Sequence, residues 1–294
     1  MMQRIKSILR KLFQHRDIDS TAEIINNYIK NGSVPWSKGY GEYKNLLISK
    51  SINDYVFLRS ISAKNIPKNF GMKIDERIIE YPWIFSKLND YKEDILDAGS
   101  TFNFDYVVNH NKFKNKDLTI FTFAPETNAF PKKRVSYVYG DLRDMPFENN
   151  QFDTVVSQST IEHIDMDNSI YGYDIEHNEN EEKKSYDYIK AVKEMTRVLK
   201  SKGTLLITFP FGKFENHGFF QQFDDEMLDR ILNYFDDLGD YSVDFFKYEK
   251  DGWRFAERDE LQEVVSYNPH SGKGKMNDGA AHCRSVACIH FIKY

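Results

Sequence analysis

Cysteine is scarce in this chain, with two residues, Cys283 and Cys288, in 294. Both fall near the C-terminal end, without the spaced Cys/His partners of a structural zinc site, so no disulfide framework and no metal site is expected. A reduced, cytoplasmic protein is the expectation. Long apolar runs are missing too: nothing approaches the roughly 20 residues of a membrane span. The N-terminus lacks the unbroken apolar segment and small-residue cleavage site of a signal peptide. There is no excess of positive charge either, with 40 Lys and Arg against 45 Asp and Glu for a net charge of −5. Nucleic-acid affinity is built mostly on phosphate neutralisation, so this balance excludes a general polyanion binder. What the chain does have is 40% hydrophobic and 15% aromatic residues. That is enough to bury a substantial core in one large domain with additions or in two small ones.

The segment 1–16, "MMQRIKSILRKLFQHR", sets Ile5, Ile8, Leu9, Leu12 and Phe13 on one helical face and Arg4, Lys6, Arg10, Lys11 and Arg16 around it. Two readings fit such a helix. It can lie on an anionic membrane, at the inner face, or it can dock on its own domain or a partner. Residues 17–93 carry mixed helical patterns and read as a helical cap. In "KIDERIIEYPWIFSKLND" the residues Ile78, Ile79, Trp83, Ile84 and Leu88 should pack inward, while Pro82 limits where a helix can begin. Tyr40, Tyr43, Tyr81 and Trp83 are available for a cleft, with core packing the commoner task of such residues.

From residue 94 to 294 the rhythm changes. "DILDAG", "LTIFTFAP", "VSYVYGD", "FDTVVSQS", "GTLLITFPF", "YSVDFFKYE" and "SVACIHFIKY" are seven strand candidates, separated by helical stretches such as "SYDYIKAVKEMTRVLK" and "DDEMLDRILNYF". Strands alternating with helices predict an α/β fold with a mostly parallel sheet, and the long stretch before the last strand allows that strand to be antiparallel. The acidic segment from Asp165 to Tyr188 has no clear period and reads as a lid, a binding loop or disorder.

Ligands of open parallel sheets sit outside the carboxyl ends of the strands. Those ends carry Asp97, Gly99, Ser100 and Thr101, then Asp141 and Asp144, then Ser157, Gln158, Ser159, Thr160, Glu162 and His163. Taken in order, "ILDAGS", "YGDLRDMPFENNQFDTVVSQSTIEHI" and "AVKEMTRVLKSKGTLLITFPF" resemble the successive motifs of class I S-adenosylmethionine (SAM) dependent methyltransferases over about Ile95 to Phe211. With the preceding "DERIIEYPWIFSKL" the chain looks most similar to the methyltransferases of bacterial surface-polysaccharide clusters. The resemblance implies a Rossmann-like fold with a seven-stranded, mostly parallel sheet, an antiparallel last strand and SAM as cofactor. It implies that Asp97, Ala98, Gly99 and Ser100 form the turn beside the amino-acid part of SAM. Asp144 would accept from the adenine amino group, with Asp141, Leu142, Arg143 and Met145 around the ring, and Ser157, Gln158 and Ser159 would lie beneath the methionyl end.

Two departures from that family stand out. "STFNF" follows Gly99 where further glycines are common, and Thr122 stands where an acid usually grips the ribose, with Glu126 available four residues on. Methyl transfer needs mainly alignment of an activated methyl group with a nucleophile. A sugar hydroxyl also benefits from a base, for which His163 and His217 are the candidates, with His282 behind them. Glu162, Asp165 and Asp167 could surround Mg²⁺, but acidic loops are usually just solvated. The expected activity is O-methylation of a sugar in a bacterial glycan or its precursor. A catalytically silent binding subunit and a small-metabolite methyltransferase are the alternatives.

Overall fold

The computed structural model describes residues 2–12, 18–130, 132–169, 172 and 183–294. The chain begins with helices α1 (Met2–Leu12), α2 (Ile18–Lys30), α3 (Tyr40–Ile52), α4 (Tyr55–Ser62) and α5 (Arg77–Lys87). Strand β1 (Asp94–Ala98), the short helix α6 (Asp105–Val108), β2 (Asp117–Thr122), β3 (Val135–Tyr139) and β4 (Phe152–Gln158) follow. Then come α7 (Tyr188–Val198), β5 (Leu199–Pro210), the two-residue strands β6 (Glu215–Asn216) and β7 (Gln221–Gln222), and α8 (Asp225–Phe235). Strands β8 (Gly239–Glu249), β9 (Gly252–Ala256) and β10 (Ser285–Lys293) complete the chain.

The main sheet runs β3-β2-β1-β4-β5-β10-β8-β9. The first five strands pair in parallel, and β10 is antiparallel to both β5 and β8. All seven expected strands are present, with the antiparallel last strand in the interior of the sheet. The eighth, β9, is added by a hairpin on β8. Successive side chains of a strand point to opposite faces, and here both faces are covered. Ile95, Val156, Leu206, Val286 and Cys288 face one hydrophobic cluster, shared with α1 to α5. Leu96, Val155, Leu205, Ile207, Ala287 and Ile289 face the other, shared with α7 and α8. This double burial explains why β1, β4, β5 and β10 read as continuous apolar runs.

The N-terminal helices are therefore one layer of the fold. Ile78, Ile79, Trp83, Ile84 and Leu88 are all buried in that layer, as are Tyr40 and Tyr81. Helix α5 continues through Pro82, although the ring removes a backbone donor. In α1, Ile5 and Leu9 are buried in the same cluster, and Lys6 pairs with Asp19. Phe13, Arg16 and the side chains of Ile8, Arg10, Lys11 and Leu12 lie outside the described residues, as does half of the Asp165 to Tyr188 segment. Among the described residues no helix is long and apolar enough to cross a membrane.

Candidate active site

The carboxyl ends of β1 to β4 open into a cavity of about 380 Å³. Its size is in the range of small-molecule sites. The loop after β1 forms one wall. Asp97 is buried at its base, and its carboxylate accepts from the backbone N–H of Thr101 (3.2 Å), the Thr101 hydroxyl (3.1 Å) and the Phe102 N–H (2.6 Å). Burial pushes Asp97 up to about 7 against these donors. Gly99 has φ +137, and a Cβ there would stand 2.1 Å from the Thr160 hydroxyl. Only glycine fits at that approach.

The missing glycines have a structural counterpart. Ser100 adopts φ +62, a left-handed conformation. Its hydroxyl donates to Glu126 Oε2 at 2.8 Å, and Asn103 Nδ2 donates to the same oxygen at 3.0 Å. The loop therefore uses side chains to hold Glu126 at the cavity wall, beside Thr122 and Phe123.

At the end of β3, Asp141, Leu142 and Arg143 line the cavity. Arg143 grips the Asp141 carboxylate through Nε and Nη2 and reaches Asp187 at 2.9 Å. That pairing holds Asp141 below the usual carboxylate range despite its partial burial. Asp144, the expected adenine acceptor, is exposed and is not part of the lining. The turn after β3 carries Asp141 inward and Asp144 out.

At the end of β4, Ser159 and Thr160 line the cavity, whereas Ser157, Gln158 and Ala98 are fully buried behind it. Ser159 donates to Glu80 Oε1, and Gln158 Nε2 donates to Glu80 Oε2 at 3.3 Å. His163 faces the cavity, with Nδ1 2.6 Å from the Phe219 carbonyl. A carbonyl only accepts, so Nδ1 carries the ring proton and Nε2 the lone pair. Burial pushes His163 down to about 4.

His217 lies elsewhere. Its ring is buried in the β6–β7 hairpin, stacked on Phe220 at 4.5 Å with Nε2 3.2 Å from Glu215, and it does not line the cavity. The hairpin and the 265–268 segment close around it, because Glu215 also accepts from the Ser266 N–H and the His217 carbonyl accepts from Asn268.

Sequence reasoning missed Arg77. It comes from α5, donates to the Gln158 and Ser159 carbonyls at 3.0 and 3.3 Å, pairs with Glu80 at 3.1 Å and reaches the cavity. Thr208 also donates to Glu80, at 2.7 Å. The available signal was Glu80 itself, an acid inside the apolar run "RIIEYPWIF". Asn168 is a second unexpected lining residue, bonded to the His163 and Met166 carbonyls.

The donor set suits an adenosine-bearing ligand. Asp141 is an acceptor, Leu142 and Phe121 are apolar, and Glu126 is a carboxylate held at the wall by Ser100 and Asn103.

Residues 114–207 match the family model described as methyltransferase domain. No curated protein matches the chain. Among solved structures it is similar to a SAM-dependent methyltransferase of Methanosarcina mazei, with 13% identity over 71% of this chain and 96% of that one, TM-score 0.39. A SAM-dependent methyltransferase of Thermotoga maritima shares 14% identity over 92% of this chain and 99% of that one, TM-score 0.40. The 1,6-didemethyltoxoflavin-N1-methyltransferase of Burkholderia thailandensis, solved with bound 1,6-didemethyltoxoflavin and S-adenosylhomocysteine, shares 12% identity over 86% of this chain and 90% of that one, TM-score 0.39. The match over residues 114–207 covers about a third of the chain, runs along the Rossmann-like sheet from β2 into β5, and supports SAM as the cofactor.

Proposed function

We propose that the protein O-methylates a sugar hydroxyl of a bacterial glycan or glycan precursor, with SAM in the cavity at the ends of β1 to β4. The observation that carries the reading is the convergence of the Gly99 turn, Glu126, Asp141 and His163 on one cavity. Glu126 is set to accept from ribose hydroxyls, taking over from the residue at Thr122. Asp141 takes the adenine amino group in place of Asp144. Asp97 acts on the loop, holding the Thr101 and Phe102 amides in the turn. Bound SAM supplies an activated methyl group.

His163 is the base of this reading. The Phe219 carbonyl fixes its tautomer, so Nε2 can take the proton that the acceptor hydroxyl loses as the new C–O bond forms. A hydroxyl becomes strongly acidic during that step, so a histidine of low basicity is sufficient. Arg77, Asp165 and Asn168 offer hydrogen-bonding groups to a polyhydroxylated acceptor. The burial of Ile5 and Leu9 supports a first helix docked on its own chain.

Thermal unfolding with SAM or S-adenosylhomocysteine tests the cofactor part. Ligand at about 100 times its dissociation constant adds about 2.7 kcal/mol of stability. An unchanged midpoint at saturating millimolar ligand would favour a binding subunit over an enzyme. Mass spectrometry of oligosaccharides and lipid-linked glycans incubated with protein and SAM tests the acceptor. A gain of one CH₂ supports it, and transfer only to small non-sugar metabolites overturns it.

A further inference from the structure

Behind the cavity lies a closed polar cluster that methyl transfer does not use. Glu76, just ahead of α5, meets His282 and Cys283, which precede β10. His282 Nδ1 is 3.1 Å from Glu76 Oε1. One ligand atom from each of Glu76, His282 and Cys283 lies within 4.8 Å of the others. Glu76 and Cys283 are buried, and His282 is largely so. Glu76 Oε2 and Glu162 Oε2 are both buried without a hydrogen-bond partner. Such an oxygen costs free energy unless something positive meets it.

Glu76, Glu80 and Glu162 share the field of one guanidinium, Arg77, which is already bonded to Glu80. Glu76 therefore keeps an oxygen that the side chains around it leave without a hydrogen bond.

We propose that Glu76, His282 and Cys283 bind a zinc ion, which ties α5 to the start of β10. One thiolate, one imidazole and one carboxylate form a mixed donor set of borderline softness that suits zinc, whereas magnesium and calcium take oxygen ligands. Zinc bonds of about 2.0 Å to N or O and about 2.3 Å to S place tetrahedral ligand atoms roughly 3.3–3.5 Å apart. The 3.1 Å separation of Nδ1 and Oε1 is close to that spacing. On binding, Cys283 gives up its thiol proton to solvent and Sγ bonds the metal, and a water takes the fourth position.

The frame is held on both sides. Arg284 is anchored to the Val265 and Gly274 carbonyls and to Asp278, and the His282 carbonyl accepts from Tyr267 N–H at 3.1 Å. Sequence spacing hid the site because Glu76 and His282 are 206 residues apart.

The test uses the full chain, stripped with a chelator and then given ZnCl₂ or CoCl₂. Wild type should retain one equivalent of zinc by elemental mass spectrometry and show a thiolate-to-cobalt charge-transfer band. Both should be lost in Cys283→Ser and Glu76→Gln and kept in Cys288→Ser, the other buried cysteine. Should Cys283→Ser not fold, His282→Asn is judged by the same readouts. Absence of zinc and of the band in wild type overturns the proposal, as does equal zinc retention in the folded ligand variants. None of these readouts depends on methyl transfer, so they are separate from the fate of the proposed activity.

Discussion

The open cavity at the strand ends and the closed cluster behind it share Arg77 but are built on different principles. The cavity is made by loops, and its polar groups are individually satisfied: Asp141 by Arg143, Glu126 by Ser100 and Asn103, His163 by a carbonyl. A ligand can therefore enter without leaving the protein unbalanced. The cluster is made by α5 and the inner ends of β4, β5 and β10, and it keeps carboxylates out of water with two oxygens unpartnered. Loops tolerate change in a surface cleft. A buried network does not, because removing one partner strands the other.

This contrast predicts that substitutions in the cluster cost stability and those in the cavity cost turnover or binding. The largest effect is expected at Glu80, which has no exposed surface and accepts from Arg77, Gln158, Ser159 and Thr208. Glu80→Ala should lose about 3 kcal/mol, since it strands a partly exposed guanidinium and two hydroxyls. Chemical denaturation measures it, and a loss below about 1 kcal/mol would erase the distinction between the two regions.

His163→Ala comes next and should lower kcat by about 10²-fold or more with SAM binding retained. Its pH dependence sharpens the point. Burial lowers His163 to about 4, so the folded state favours the neutral ring. The stability this provides is complete above the ordinary value near 6.5 and is lost as pH falls through about 4. The acid limb of kcat should therefore fall near 4. A limb near 6.5 would remove His163 from the role.

The smallest effect separates two acids that look alike in sequence. Glu126→Gln should weaken SAM binding by about tenfold, or about 1.4 kcal/mol, with an unchanged unfolding midpoint. Asp144→Asn should leave affinity where it is. Calorimetric titration reads both, and a larger effect at Asp144 would restore it as the adenine acceptor.

The strands β1, β4, β5 and β10 were legible because each is buried largely on both faces and reads as an apolar run. Strand β9 was not, since Arg254, Phe255 and Ala256 are half-exposed and their pattern is short. Asp141 and Asp144 could not be told apart because both lie in "GDLRDMPF", and the direction of the chain leaving β3 decides which faces inward. His217 looked like a cleft residue because it follows β5, but the β6–β7 hairpin folds its ring inside.

Local pattern thus determined seven of the strands, the mostly parallel character of the sheet and the strand-end residues from Asp97 to His163, because hydrophobic periodicity and turn chemistry act over a few residues. Tertiary structure alone decided that Arg77 and Glu80 meet Ser159, and that Glu76 meets His282 and Cys283. Those pairs are separated by about 80 and about 200 residues. They are joined only when the N-terminal helices and the sheet bury a common apolar face, a long-range contact that no local pattern encodes.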